Sequence, residues 1–144
     1  MSQDSQDKVV LITGGSRGLG KAMAHGFAAQ GAKLAIVSRK LDGCDATAAE
    51  LTAAYGTETF TRSTHVGDWD DLDRMVEAVI KRFGRIDVLV NNAGMSPLYP
   101  SLSDVSEALF DKVVSVNLKG PFRLMANVGA VSYTHLTLPT KNEV

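Results

Sequence analysis

Apolar residues along this chain fall into two rhythms that alternate from the N-terminal end. Val9–Ile12, Ala35–Val37 and Ile86–Val90 are short, almost continuous apolar runs rich in β-branched side chains, the pattern of strands buried on both faces of a parallel sheet. Thr57–Thr64, rich in threonine with one aromatic, reads as a further strand. Between these runs, apolar positions recur at helical spacing. Lys21–Gln30 carries Ala22, Met23, Phe27 and Ala28 and stops at Gly31. Leu41–Tyr55 is alanine-rich and stops at Gly56. Asp68–Phe83 carries Leu72, Met75, Val76, Val79 and Ile80. Asp68 is placed to cap that helix, Asp70 and Asp71 fall in its first turn, and Lys81 and Arg82 close it. Asp104–Gly129 reads as one long helix with Leu109, Val113, Val116, Leu124 and Val128 on its apolar stripe. Strands alternating with helices predict an α/β fold with a doubly wound parallel sheet.

Length and composition narrow the class. The chain has 144 residues, room for one domain at most. Fifteen basic against sixteen acidic side chains give a net charge of -1, which offers no bulk field for nucleic acid. No run is long enough for a membrane span, and residues 1–7 are polar, expected as a disordered tail without a signal-peptide core. Cys44 is the single cysteine, so no internal disulfide or cysteine-built metal site is expected, and it reads as a packing residue. A cytoplasmic protein is the default expectation, with no metal.

The chemistry concentrates where strands end. Directly after the first strand comes Thr13-Gly-Gly-Ser-Arg-Gly-Leu-Gly20. Glycine is needed there because a strand-to-helix turn requires backbone angles that a Cβ blocks, and a pyrophosphate approaches main chain closely only where side chains are absent. The exposed N–H groups and positive dipole end of the following helix then face the phosphates. The T-G-x-x-x-G-x-G spacing resembles the short-chain dehydrogenase/reductase family rather than the common G-x-G-x-x-G fingerprint. Gly14, Ser16, Arg17, Gly18, Leu19 and Gly20 are thus candidate cofactor-binding residues. The second hallmark is Asn91-Asn92-Ala93-Gly94, directly after the Ile86–Val90 strand. Small Ala93 and Gly94 leave room for the nicotinamide ribose, and Asn92 can bridge to the glycine loop.

Ser38 and Arg39 lie just past the second strand, an end that faces the adenosine ribose in this topology. An acidic residue there would accept from a free 2′-hydroxyl. Arg39, with Arg17 nearby, instead suits a 2′-phosphate, against the alternative of two solvated surface arginines. NADP(H) is therefore expected over NAD(H). In the resembled family an acidic residue commonly contacts the adenine amino group where His65 stands here. With Val66 beside it, His65 is a candidate to donate or accept one hydrogen bond to the base, or to line the pocket. Met95, Ser96 and Tyr99, in the loop that follows, are candidates for the substrate side.

Pro121 lacks the N–H that would bond the carbonyl of Asn117, four residues back, and so frees that carbonyl. In the resembled family the corresponding asparagine holds, through its main-chain carbonyl, a water that contacts the catalytic lysine. Asn117 is the one catalytic candidate. The family's serine and Tyr-x-x-x-Lys pair do not occur; Tyr133 and Lys141 are eight positions apart and cannot substitute.

The resemblance covers residues 8–130 and implies an incomplete Rossmann-like domain, truncated after the fourth strand and the following long helix. Val131–Val144 breaks the pattern. It matches the translation of a widely used transposase sequencing adaptor and is expected to be an artefactual tail, the rival being a C-terminus produced by frameshift. The resemblance implies hydride transfer between NADP(H) and a small-molecule alcohol or carbonyl substrate, in a parent protein that forms homo-oligomers without nucleic acid or membrane. The chain as written is expected to bind nucleotide without turnover. The alternatives are a non-catalytic NADP(H)-binding or sensing module and a fragment without function.

Overall fold

The sheet is built outward from β1 (Val9–Thr13), all five residues of which are buried. The computed structural model describes residues 4–135. β1 pairs in parallel with β2 (Lys33–Ser38) on one side and β4 (Val88–Val90) on the other, so that Leu11 lies between Ala35 and Leu89. β3 (Thr59–Ser63) adds in parallel to β2, giving the order β3-β2-β1-β4. The chain steps away from β1 through β2 to β3, then returns across to β4. That reversal opens a crevice above the carboxyl ends of β1 and β4.

Alternation along each strand divides the core. Val10, Ile12, Leu34 and Ile36 pack with Ala24 and Ala28 of α1 (Gly18–Ala29) and Cys44 and Leu51 of α2 (Leu41–Tyr55). Val9, Leu11, Ala35 and Val37 face the opposite layer, with Leu72, Met75 and Val79 of α3 (Trp69–Phe83) and Leu124 and Val128 of the last helix. Cys44 is fully buried, as a packing residue should be, and burial pushes its thiol up from the ordinary range. Asp68 caps α3, its carboxylate accepting from the Asp71 N–H at 3.0 Å. Gly84 ends the same helix at φ 81°, a left-handed conformation that glycine adopts without a Cβ penalty.

Three expectations are corrected. Residues 4–7 form a turn rather than a disordered tail: Ser5 is 8% exposed, its hydroxyl donates to the Gln30 side chain at 3.1 Å, and the Asp7 N–H donates to the Gly31 carbonyl. Residues 1–3 lie outside the described residues. The single helix expected over Asp104–Gly129 is three pieces after a short 3-10 turn at Leu102–Asp104: α4 (Glu107–Val114), a π-helical turn at Ser115–Lys119, and α5 (Gly120–His135). Two local causes act here. Ser106 caps α4 by accepting from the Leu109 N–H, and Pro121 withholds a donor just where the ladder widens. The helix also does not stop at Ala130. Val131 packs against the core and Ser132 donates to the Ile86 carbonyl at 3.0 Å, so the start of the 131–144 segment continues α5; residues 136–144 lie outside the described residues.

Candidate functional site

A cleft of about 590 Å³ lies above the carboxyl ends of the strands. Its floor is the glycine loop, and the loop is locked from the β4 side. The Thr13 hydroxyl accepts from the Asn92 and Ala93 N–H groups at 3.1 and 3.0 Å. Asn92 Nδ2 donates back to the Thr13 and Gly14 carbonyls, both at 3.1 Å. Gly20 explains why the third glycine is required: a Cβ there would lie 2.2 Å from the Gly14 carbonyl oxygen and 2.4 Å from Asn92 Nδ2. α1 therefore begins in contact with the loop. Neither Arg17, at the N-cap of α1, nor Lys40, at that of α2, caps its helix with its side chain. The first-turn N–H groups of both helices are left for other acceptors, with their dipoles favouring an anion.

Of the residues singled out from sequence, Gly14, Ser16, Arg17, Gly18, Ser38, Arg39, His65, Val66, Asn92, Ala93 and Gly94 all line this cleft. Leu19 is not among the lining residues, and its side chain is 70% exposed. Gly20 is buried beneath the loop rather than open to the cleft. Ser38 is occupied within the protein, donating to the Lys40 carbonyl and lying 3.1 Å from Cys44 Sγ.

Asn117 sits at the π-helical turn, beside the cleft. Its Oδ1 accepts from the Met95 N–H at 2.8 Å and its Nδ2 donates to the Met95 carbonyl at 2.7 Å. The side chain thus clamps the segment leaving β4, and Pro121 leaves the Asn117 carbonyl without a donor at the usual helical position.

The walls also include Lys40, Asp42, Gly43, Thr64, Lys112 and Val116, none of which the sequence marked as a binding residue. Asp42 and Gly43 had a readable signal, being in the first turn of the helix that begins just after Arg39. Gly43 lets α2 approach the loop: its Cβ would lie 3.0 Å from Ser16 Cβ. Lys112 reaches the cleft from α4, a tertiary contact that no local pattern marks. Arg17, Arg39, Lys40 and Lys112 against the one carboxylate of Asp42 make the cleft electropositive.

The β3 side is held by a buttress of charge. Arg62 donates to the Thr64 hydroxyl and to the Asp71 carboxylate, both at 2.8 Å, and Arg74 lies 3.5 Å from the same carboxylate. The Arg62 hydrogen bond holds the Asp71 carboxyl below the usual carboxylate range, against a smaller opposing effect of burial. Behind it, Arg123 of α5 pairs with Asp73 of α3 and lies 4.6 Å over the Trp69 ring. Among the described residues, no helix is long and apolar enough to cross a membrane.

Comparison with known proteins agrees with this geometry. Residues 8–131 match the family model described as short chain dehydrogenase. Levodione reductase of Leifsonia aquatica is 45% identical over 117 residues, covering 81% of this chain and 44% of that protein. The human dehydrogenase/reductase SDR family member 4 is 37% identical over 115 residues, covering 80% of this chain and 41% of that protein. The chain spans less than half the length of these curated relatives. Among solved structures, a metagenomic short-chain oxidoreductase in complex with NADP superposes with a TM-score of 0.87 at 30% identity, over 92% of this chain and 60% of that one. L-sorbose reductase of Gluconobacter frateurii, complexed with NADPH and L-sorbose, superposes with a TM-score of 0.89 at 28% identity, over 94% of this chain and 51% of that one.

Proposed function

The chain belongs to the short-chain dehydrogenase/reductase family, and from that premise we propose that its cleft binds a nicotinamide dinucleotide, NADP(H) in preference to NAD(H), as the cofactor-binding part of an oxidoreductase for an alcohol or carbonyl substrate. The observation that carries the reading is the glycine loop held to Asn92 at the sheet's switch point, beneath two helix N-termini whose first-turn amides are open. The pyrophosphate lies on that loop. The adenosine end then runs toward Arg39 and His65, and the nicotinamide end toward Ala93, Gly94 and the Asn117 clamp. The cofactor brings hydride chemistry. The chain's own residues bind it, orient it and position the Asn117 carbonyl. Two relatives of similar structure were solved with NADP or NADPH bound, and Arg17 and Arg39 both reach the cleft.

Within these 144 residues there is no Tyr-x-x-x-Lys, so the proton-transfer groups of such an enzyme would come from sequence beyond them. The exposed apolar side chains Phe110, Leu118, Phe122 and Met125 on the Glu107–His135 segment support a homo-oligomeric parent. A cytoplasmic setting accords with the single buried cysteine.

Cofactor choice is tested by charge changes at the adenosine end. Arg39→Ala should weaken NADPH binding about 10- to 100-fold, the worth of a lost charge-assisted hydrogen bond, and leave NADH within about threefold. Asp42→Asn, which removes the one opposing carboxylate, should tighten NADPH about two- to fivefold. Equal losses of both cofactors in Arg39→Ala would refute the 2′-phosphate assignment.

A further inference from the structure

We infer that Ser63 is a positioning residue for cofactor choice: its hydroxyl fixes the main chain of Arg39 and so holds the Arg39 guanidinium where a 2′-phosphate would meet it. This rests on the NADP(H) reading above and goes beyond it in naming what makes Arg39 selective.

Arg39 lines the cleft, and among the described residues its guanidinium has no hydrogen-bond or ion-pair partner. A long, unpaired side chain keeps wide rotamer freedom, so its main chain decides the space it can reach. That main chain lies in the passage Ser38-Arg39-Lys40, from the end of β2 to the start of α2. Every carbonyl of the passage is engaged. The Ser38 carbonyl accepts from the Thr64 N–H at 2.8 Å, and the Lys40 carbonyl accepts from the Ser38 hydroxyl at 3.1 Å. The Arg39 carbonyl accepts from the Ser63 hydroxyl at 2.8 Å. Of these bonds the last alone is made to Arg39, and it comes from a side chain of β3.

Ser63 can impose that position because it is held in turn. It ends β3, in register with Ser38, and its carbonyl accepts from the Arg62 guanidinium at 3.3 Å. The same guanidinium pairs with Asp71 of α3 and donates to the Thr64 hydroxyl. A line of bonds therefore runs from α3 through Arg62 and Ser63 to Arg39. Ser63 is exposed, so in Ser63→Ala a water can donate to the Arg39 carbonyl instead. The loss is then one of position rather than of folding, and a ligand without a 2′-phosphate does not feel it.

The test is a fluorescence titration of the 144-residue chain with NADPH and NADH, repeated on Ser63→Ala, Ser63→Thr, Arg39→Ala and the variant carrying both alanines. Ser63→Ala should weaken NADPH about three- to tenfold, the worth of one hydrogen bond, and leave NADH within about twofold. Ser63→Thr keeps the donor and should bind both cofactors as the unaltered chain does. With Arg39 already replaced, Ser63→Ala should change NADPH by less than about twofold, because the two residues act as a unit. In a chain that prefers NADPH, equal losses of both cofactors in Ser63→Ala, or no loss of either, overturn the assignment and leave the cofactor reading intact. So does a threonine variant as weak as the alanine one, or an undiminished NADPH effect in the Arg39→Ala background. An unaltered chain that binds NADH as tightly as NADPH overturns the cofactor reading itself, and this assignment with it.

Discussion

Asn117 and Met95 are joined by a two-way amide clamp, the side chain of one receiving and returning hydrogen bonds to the main chain of the other at 2.8 and 2.7 Å. Both polar atoms of the Asn117 side chain are thereby engaged, which leaves its main-chain carbonyl as the group proposed to serve the cleft. Asn117→Ala should cost about 1–2 kcal/mol in urea unfolding, the net worth of two partly solvated hydrogen bonds. Asn117→Asp should be no better, since its second carboxylate oxygen would face the Met95 carbonyl. An Asp variant as stable as the parent would show that the clamp contributes nothing.

Glycines that look alike in the sequence should respond in opposite directions. Gly20→Ala drives a methyl into the Gly14 carbonyl and Asn92, and is expected to destabilise by about 1–3 kcal/mol and to abolish nucleotide binding. Gly26 lies inside α1, and a Cβ there would meet nothing within 4 Å. Gly26→Ala should therefore stabilise by about 0.5–1 kcal/mol. Thermal melts of the two variants check both signs.

The Asp71 carboxyl is held below its ordinary range by Arg62, which fixes a pH dependence. A depressed folded-state pKa contributes stability that is complete above the unfolded value, about 3.9. It is lost as pH falls through the folded one. Stability should therefore drop on acidification below about pH 4, and Asp71→Asn should flatten that limb. Asp73 and Glu50 are depressed by their own cationic partners, so the diagnostic quantity is the difference between the parent and Asp71→Asn. Superposable acid limbs would remove the Arg62 pair from the account.

Much of this was legible from local pattern. The apolar runs marked β1, β2 and β4, and the glycine and asparagine motifs located the cleft, because strands buried on both faces and loops under steric constraint leave little freedom in residue type. What stayed hidden was tertiary. Lys112 meets the cleft through the packing of α4. The His65 ring is seated by a bond from the Gly67 N–H to Nδ1 that only the folded loop forms. The Asn117 region shows both sides: Pro121 announced a broken ladder, but a π-helical turn rather than a single freed carbonyl in one straight helix absorbs the break. Leu19, carried along by the motif around it, has a side chain that stays exposed and outside the cleft lining.

The central claim is that this cleft holds a phosphorylated nicotinamide dinucleotide, and equilibrium titration of residues 1–144 with NADPH and NADH, followed by nicotinamide fluorescence, tests it most directly. Saturable one-to-one binding, at least about tenfold tighter for NADPH and without oxidation of NADPH when a ketone is added, is the predicted result. Binding of NADH as tight as NADPH, or no saturable binding of either, would contradict it.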